Sequence, residues 1–527
     1  MRWSIAFLAV SLLSAADVVQ EGKRWWSHIQ VLADDKMEGR NTGSAGHRKA
    51  ARYVAGEFER NGLKAAGTSG YFQPVKFNVT GIAEDSSSLA IVRKGRETPL
   101  KLGDDAVISV RYGLAERVDA PAVFTGHGLV IPEKGIDDFA GLDLKGKIVV
   151  YLTGGPPSVP SALKAHYSSR GERWKAIQKT GAIGIAEIPN PKSMDIPWGR
   201  ATLARLNPTM SVADEKLEEI HGMQFSVRIN PDHAEKILTG SGHTFSELLA
   251  LADAGKPLPK FPLNLNFRAR VVIKTSQVES QNVIGLLPGS DAKLKDEYVV
   301  FTAHLDHVGI GQPINGDRIY NGAMDDASGV ASLIEIATMV KEQKITPKRS
   351  LLFVAVTGEE KGLQGSRYFA NYPTVPRQNI VADINMDMFL PLFPLKYLEV
   401  QGLDESTLGN DVRAACEKAG VAVQADKEPD RNLFIRSDQY SFIREGVPAL
   451  AFKFGYEKGT PEEKVAKEWL KNRYHAPSDD LNQPVDATAA AQFNRLILDL
   501  GQRVANAKDR PHWNSNSFFR RFAKGSG

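Results

Sequence analysis

The chain has 527 residues, 42% of them hydrophobic and 24% charged, with a formal net charge of +4. That balance is ordinary for folded globular protein, and the length exceeds one compact core, so two or three domains are expected. The charge is too small to argue for nucleic acid, and the single cysteine, Cys416, excludes an internal disulfide framework and is expected in a buried helix.

At the start, Arg2, the apolar run of residues 3–13 and Ser14-Ala15-Ala16 read as a secretory signal peptide over residues 1–16, too short to span a bilayer. Removing it takes the net charge from +4 to +3, because Arg2 is its only charged residue. No other stretch approaches the ~20 apolar residues of a membrane span. The expectation is therefore a secreted or periplasmic protein with no stable membrane anchor. Residues 32–40, Leu-Ala-Asp-Asp-Lys-Met-Glu-Gly39-Arg40, with Gly43 and Gly46, lead into an amphipathic helix over about residues 46–61 that Gly62 closes.

The pattern changes between residues 106 and 265. Strand-like stretches at 122–132, 148–152 and 182–186, with a helix-like stretch at 173–179, mark an inserted α/β unit. His127 within it reads as a turn or strand-end histidine, and residues 257–262, rich in Pro and Lys, as part of the return linker. The organisation expected is residues 17–105 and 266–505 as one discontinuous domain, 106–265 as the insert, and 506–527 as a tail without clear period.

Three β-branched and aromatic runs follow, at 298–303, 350–357 and 380–386. Each ends on polar residues: His304 and Asp306, then Glu359 and Glu360, then Asp387. Asp325 and Asp326 lie in the loop 321–329, ahead of a helix with apolar positions at Val330, Leu333, Ile334, Ala337 and Val340, and His475 comes later. In an open parallel sheet the ligand site lies outside the carboxyl ends of the strands, so these residues are expected to converge. Two histidines and three carboxylates hold two divalent cations if one carboxylate bridges. Glu359, with no cation of its own to bind, then has the place of a general base.

The motifs His304-x-Asp306, Gly322-Ala-x-Asp325-Asp-x-Ser-Gly329, Glu359-Glu360, Asn385-Met-Asp387-Met and Tyr474-His475-Ala-Pro-Ser-Asp479, together with the 32–40 stretch, resemble the zinc aminopeptidases of the M28 peptidase family. The resemblance runs from about residue 22 to about 505. It implies an α/β fold with a mixed, largely parallel central sheet flanked by helices, and an insert similar to a protease-associated domain. It implies two Zn2+ ions: His304 and Asp387 on one, Glu360 and His475 on the other, and Asp325 bridging, with a cis peptide leading into Asp326. The carboxylate of Asp306 would accept from the far nitrogen of His304. Tyr474 would donate to a tetrahedral oxyanion or serve as a packed aromatic. Gln439, after Asp438, stands where relatives commonly have His, a departure from the family pattern. If the insert leans over the cleft, Trp198, Gly199 and Arg200 become candidate contacts.

The implied activity is removal of single residues from peptides with a free N-terminus, by water activated between the two ions with Glu359 as base. A carboxypeptidase or dipeptidase of the same architecture is the alternative, reading a substrate carboxylate through an arginine such as Arg318, Arg431 or Arg436. The intact ligand set argues against a third reading, a receptor-like module without catalysis.

Overall fold

A computed structural model describes residues 15–428, 431 and 433–523. Most of the segment read as a signal peptide lies outside the described residues. Ala15 and Ala16 already belong to the first helix, α1 (Ala15–Leu32). Among the described residues, no helix is long and apolar enough to cross a membrane.

The site rests on one mixed sheet. Its named strands are β1 (Phe72–Ile82), β2 (Thr209–Val212), β3 (Ile273–Leu287), β4 (Tyr298–His304), β5 (Ser350–Val356), β6 (Ile380–Asn385), β7 (Tyr397–Gln401), β8 (Ala422–Gln424) and β9 (Ala449–Gly455), in the order β2-β1-β3-β5-β4-β6-β9-β7-β8. The centre, β5-β4-β6-β9, is parallel, and the strands beside it, β3 and β7, join antiparallel. A parallel centre needs cover on both faces, which is why β4, β5 and β6 read as unbroken apolar runs. Alternate side chains sort to the two sides. Val299, Phe301, Leu351 and Phe353 pack beneath α1, α2 (Ala45–Arg60), α3 (Ser328–Glu342) and α4 (Ala487–Asn506). Val300, Leu352 and Val354 face Phe369 and Phe442 on the other side.

A second sheet of eight strands, with its own core around Phe124, Val150, Phe225 and Phe267, occupies residues 88–270. It is wider than the interval 106–265 read from the sequence. Strand Ser88–Arg93 pairs with Phe261–Arg270, with Ile91 opposite Phe267, a pairing across more than 170 positions that no local pattern announces. The expected return linker thus runs directly into a strand. The chain passes between the two sheets along β1 and β3, which pair antiparallel from Phe72↔Val283 to Ile82↔Ile273. Strand β2, from inside the insert, pairs with β1 at the edge of the large sheet. The two units therefore share a ribbon and a strand.

The described part of the tail packs against the rest of the chain. Trp513 and Phe519 are buried with Phe434, Tyr440 and Ile443. The rings of Phe518, Phe519 and Phe522 surround His166 of the insert at centroid distances of 4.8, 6.3 and 5.5 Å. Cys416 is buried in helix Leu408–Ala419.

Candidate metal centre

Three neighbouring strands carry the site. His304 is level with Val356 across β4 and β5, and Thr302 with Asn385 across β4 and β6. The residues that follow each strand, Glu359-Glu360 and Asp387, consequently emerge at the same edge as His304. Asp325 arrives on the turn into α3, through a cis peptide to Asp326. His475 arrives from the segment after helix Pro461–Asn472.

The contacts divide into two halves. His304 Nε2 lies 3.1 Å from Asp325 Oδ1 and 3.5 Å from Asp387 Oδ1. His475 Nε2 lies 3.2 Å from Asp325 Oδ2 and 3.2 Å from Glu360 Oε2. Asp325 offers one oxygen to each half.

The donor set fits two divalent cations. Two donors each ~2.05 Å from one ion, at a tetrahedral angle, stand about 3.3 Å apart, which is the spacing found. His304 Nδ1 is 2.9 Å from the carbonyl oxygen of Asp306. A carbonyl only accepts, so Nδ1 carries the proton and the Nε2 lone pair faces two carboxylates, an arrangement that calls for positive charge between them. Asp325 Oδ2 is buried and lacks a hydrogen-bond partner among the protein atoms.

The electrostatics agree. Burial works against protonation of His304 and His475, yet Asp325 with Asp387 on one side, and Glu360 with Asp325 on the other, hold both imidazoles well above their ordinary range. Burial likewise opposes ionisation of Asp325, but His307, His304 and His475 around it keep it well below the carboxylate range. Burial, supported by Asp387, Asp438 and Glu360, holds Glu359 well above that range against the pull of His304. A protonated carboxyl takes no proton, so Glu359 needs the added positive charge of bound cations to act as a base.

Asp306 differs from the role implied by resemblance. Its backbone carbonyl, rather than its carboxylate, takes the far nitrogen of His304. The carboxylate turns the other way and accepts from the Glu359 amide at 3.0 Å and the Thr42 hydroxyl at 2.9 Å. The physical reason is reach: the ring meets the carbonyl two residues on, leaving the carboxylate to fix the start of the Glu359-Glu360 turn.

Around the donors sits a frame of buried polar groups. Asp326 Oδ1 accepts from Gly329 N at 2.9 Å and Met388 N at 3.1 Å, and Oδ2 from His304 N at 3.2 Å, tying together the segments of the three candidate ligands on that side. Asp479 accepts from the amides of Met324 and Asp325 at 2.9 and 3.1 Å. Arg40, fully buried, donates to the carbonyls of Leu32, Leu305, Asn321 and Gly322. Gln439 accepts from Asn385 and donates to the Phe434 carbonyl, so it braces the end of β6. Burial raises Asp438 to about 7.

The Tyr474 ring lies against that of His475, tilted by 37° with centroids 4.0 Å apart, and burial pushes its hydroxyl up to about 12, so the O–H remains a donor. Arg436 reaches that hydroxyl at 3.4 Å. Both Arg431 and Arg436 are held by Asp195 of the insert, at 2.8 and 2.5 Å, and Arg318 Nε donates to the Gly311 carbonyl. Trp198 is buried and, with Asp195, Arg431 and Leu470, lines a cleft of about 530 Å³ between the insert and helix Pro461–Asn472. Arg200 donates to the Leu470 carbonyl and Gly199 is not in that lining. His127 Nδ1 lies 3.0 Å from the Leu152 carbonyl inside the insert.

One residue of the centre went unread in the sequence. His307 is fully buried, with Nδ1 2.7 Å from Glu360 Oε1. Its signal was a second histidine directly after His304-Leu-Asp306, in the same loop beyond a strand.

Residues 282–501 match the model of Peptidase family M28. Carboxypeptidase Q of Xenopus laevis is 24% identical over 389 residues, covering 72% of this chain and 69% of that one. A probable zinc metalloprotease of Pyrenophora teres f. teres is 36% identical over 111 residues, and the matched part is 21% of this chain and spans only 23% of that relative's length. Among solved structures, an aminopeptidase from Aneurinibacillus sp. strain AM-1 is 20% identical, with a TM-score of 0.58 over 94% of this chain and 97% of the other. The two share the fold.

Proposed function

The chain carries a Peptidase family M28 domain over residues 282–501, and from that premise we propose that it is a two-zinc exopeptidase that removes residues from the free N-termini of peptides after export from the cytoplasm. The observation that carries the reading is the pair of half-sites joined by Asp325, with donor spacings of 3.1 to 3.5 Å. Zinc suits imidazole and carboxylate donors, and the family match and the names of several relatives point the same way. Bound there, two such ions supply Lewis acidity toward a water and the scissile carbonyl.

The protein's own groups do the rest. Glu359, fixed at its amide by Asp306, accepts a proton from the attacking water and returns it to the leaving amine. Tyr474 keeps its O–H for the oxygen on which negative charge develops. Glu359 and the donor carboxylates favour a substrate group of positive charge, and a free α-ammonium supplies it. Export rests on the apolar run at residues 3–13.

Carboxypeptidase action is the second reading, favoured by the Xenopus match and by Arg436 beside Tyr474. Against it, Asp195 already pairs with Arg436 and Arg431, and Glu428 pairs with Arg431. A panel of free and N-acetylated peptides, with and without a chelator, decides between them. Release from free N-termini, abolished by acetylation and by chelation, is expected. Turnover of acetylated peptides from the C-terminus would replace this reading with the second.

A further inference from the structure

Asp195 lies on the insert, but its partners do not. Its Oδ1 accepts from Arg431 Nε at 2.8 Å and its Oδ2 from Arg436 Nη1 at 2.5 Å, while Arg431 Nη1 reaches Glu428 Oε2 at 2.7 Å. Two acids and two arginines balance in charge, and the Asp195 side chain is only 9% exposed. Burial opposes its ionisation, yet the two guanidiniums keep it below the usual carboxylate range. The loop that carries Asp195 is fastened to the insert on both sides: the Asn190 amide donates to Thr153 Oγ1 at 2.8 Å, and the Trp198 indole to the Gly103 carbonyl at 3.1 Å.

The other arm of Arg436 points to the metal centre. Its Nη2 donates to the Tyr474 hydroxyl at 3.4 Å, and the Tyr474 ring centroid lies 4.0 Å from that of His475. A phenolic oxygen that accepts from a cation must send its own proton elsewhere, so Arg436 restricts where the Tyr474 O–H can donate. At 3.4 Å the bond is long for N–H···O, and whether it is made depends on where the guanidinium is held. Asp195 holds it by the opposite nitrogen.

We propose that Asp195, a residue of the insert, is a positioning residue for Tyr474: it holds Arg436 by Nη1, and Arg436 Nη2 sets the Tyr474 hydroxyl so that its proton faces the oxygen on which negative charge develops. The assignment rests on the oxyanion role given to Tyr474 above. It gives the insert a part in the reaction itself.

A double-mutant cycle separates this role from a salt bridge that only fastens the insert to the core. Wild type, Asp195→Asn, Arg436→Met, Tyr474→Phe and the two double variants are assayed as full chains at matched metal content, on the peptide, free or N-acetylated, that wild type cleaves faster. Tyr474→Phe should lower kcat roughly 10²-fold. Asp195→Asn should lower kcat roughly 10-fold with KM little changed, and Asp195→Glu should recover part of that loss. Arg436→Met keeps the pair between Asp195 and Arg431, so it should show the same loss and carries the test if circular dichroism shows Asp195→Asn unfolded. In the Tyr474→Phe background either change should alter kcat by no more than about twofold, because the group it positions is gone. Equal losses in both backgrounds, or no loss in either, overturn the proposal and leave the role of Tyr474 standing. Wild-type kcat in Tyr474→Phe would instead overturn that role, and the positioning with it.

Discussion

Replacing Arg40 tests how the centre is held. Its guanidinium makes four hydrogen bonds to buried carbonyls, at 2.6 Å to Leu32 and Asn321 and 2.9 Å to Leu305 and Gly322. Leu305 follows the candidate ligand His304, and Asn321 and Gly322 begin the loop that carries Asp325, so one side chain fixes the spacing between two candidate donors. Burial lowers its pKa only to about 10, leaving it cationic at neutral pH. In Arg40→Met the carbonyls of Leu32, Leu305 and Asn321 lose their donor inside the protein, while that of Gly322 keeps the Ala327 amide at 3.1 Å. At ~1–3 kcal/mol for each of the three orphaned groups the cost is roughly 3–9 kcal/mol, comparable with the ~5–15 kcal/mol that separates folded from unfolded protein. Arg40→Lys keeps the charge and three donors but not the planar reach, so at least one carbonyl is orphaned, at ~1–3 kcal/mol. Urea unfolding of the chelated proteins, followed by circular dichroism, should place the midpoints in the order wild type, lysine, methionine. The metal content of folded lysine variant should fall as well. A methionine variant within about 1 kcal/mol of wild type would refute the reasoning.

Glu359→Gln should lower kcat by roughly 10²-fold or more with metal content unchanged, while Glu360→Gln should weaken one ion; equal metal loss in both, with zinc restoring the first, would reverse these roles. His166 is buried against the tail, and burial lowers its pKa from 6.5 to about 4. A depressed folded-state pKa means stability present above pH 6.5 and lost as pH falls toward 4, up to about 3 kcal/mol at ~1.4 kcal/mol per pH unit. His166→Phe should therefore lose that much less than wild type between pH 7 and 4, and parallel losses in denaturant titrations would contradict it. Because β1 and β3 pair across both passages between the sheets and β2 is shared, limited proteolysis should spare residues 82–88 and 270–273, and calorimetry should show one unfolding transition. Release of an insert fragment with its own transition would mean that the ribbon opens independently.

Much of the centre was legible because its signals are local. An apolar run that ends on His, Glu-Glu or Asp reports a buried strand and the polar residue beyond its carboxyl end, and three such ends converge once the strands are parallel neighbours. His304, Glu359, Glu360 and Asp387 were candidates on that basis, Asp325 through its loop ahead of a helix and His475 through the resemblance of its motif, and the burial of Cys416 was expected from its helical surroundings. Tertiary structure alone decided the rest. The pairing of strand Ser88–Arg93 with Phe261–Arg270 moved the edges of the insert, because a sheet partner is chosen by contacts that no short window contains. The tail acquired a place because Phe518, Phe519 and Phe522 meet His166 from a distant part of the chain. The Asp306 carboxylate and the side chains of Arg40 and Asp326 took their tasks from which backbone groups lay within 3.0 Å after folding. Residue type and spacing determine which groups can bind a cation, and packing determines what holds each group still.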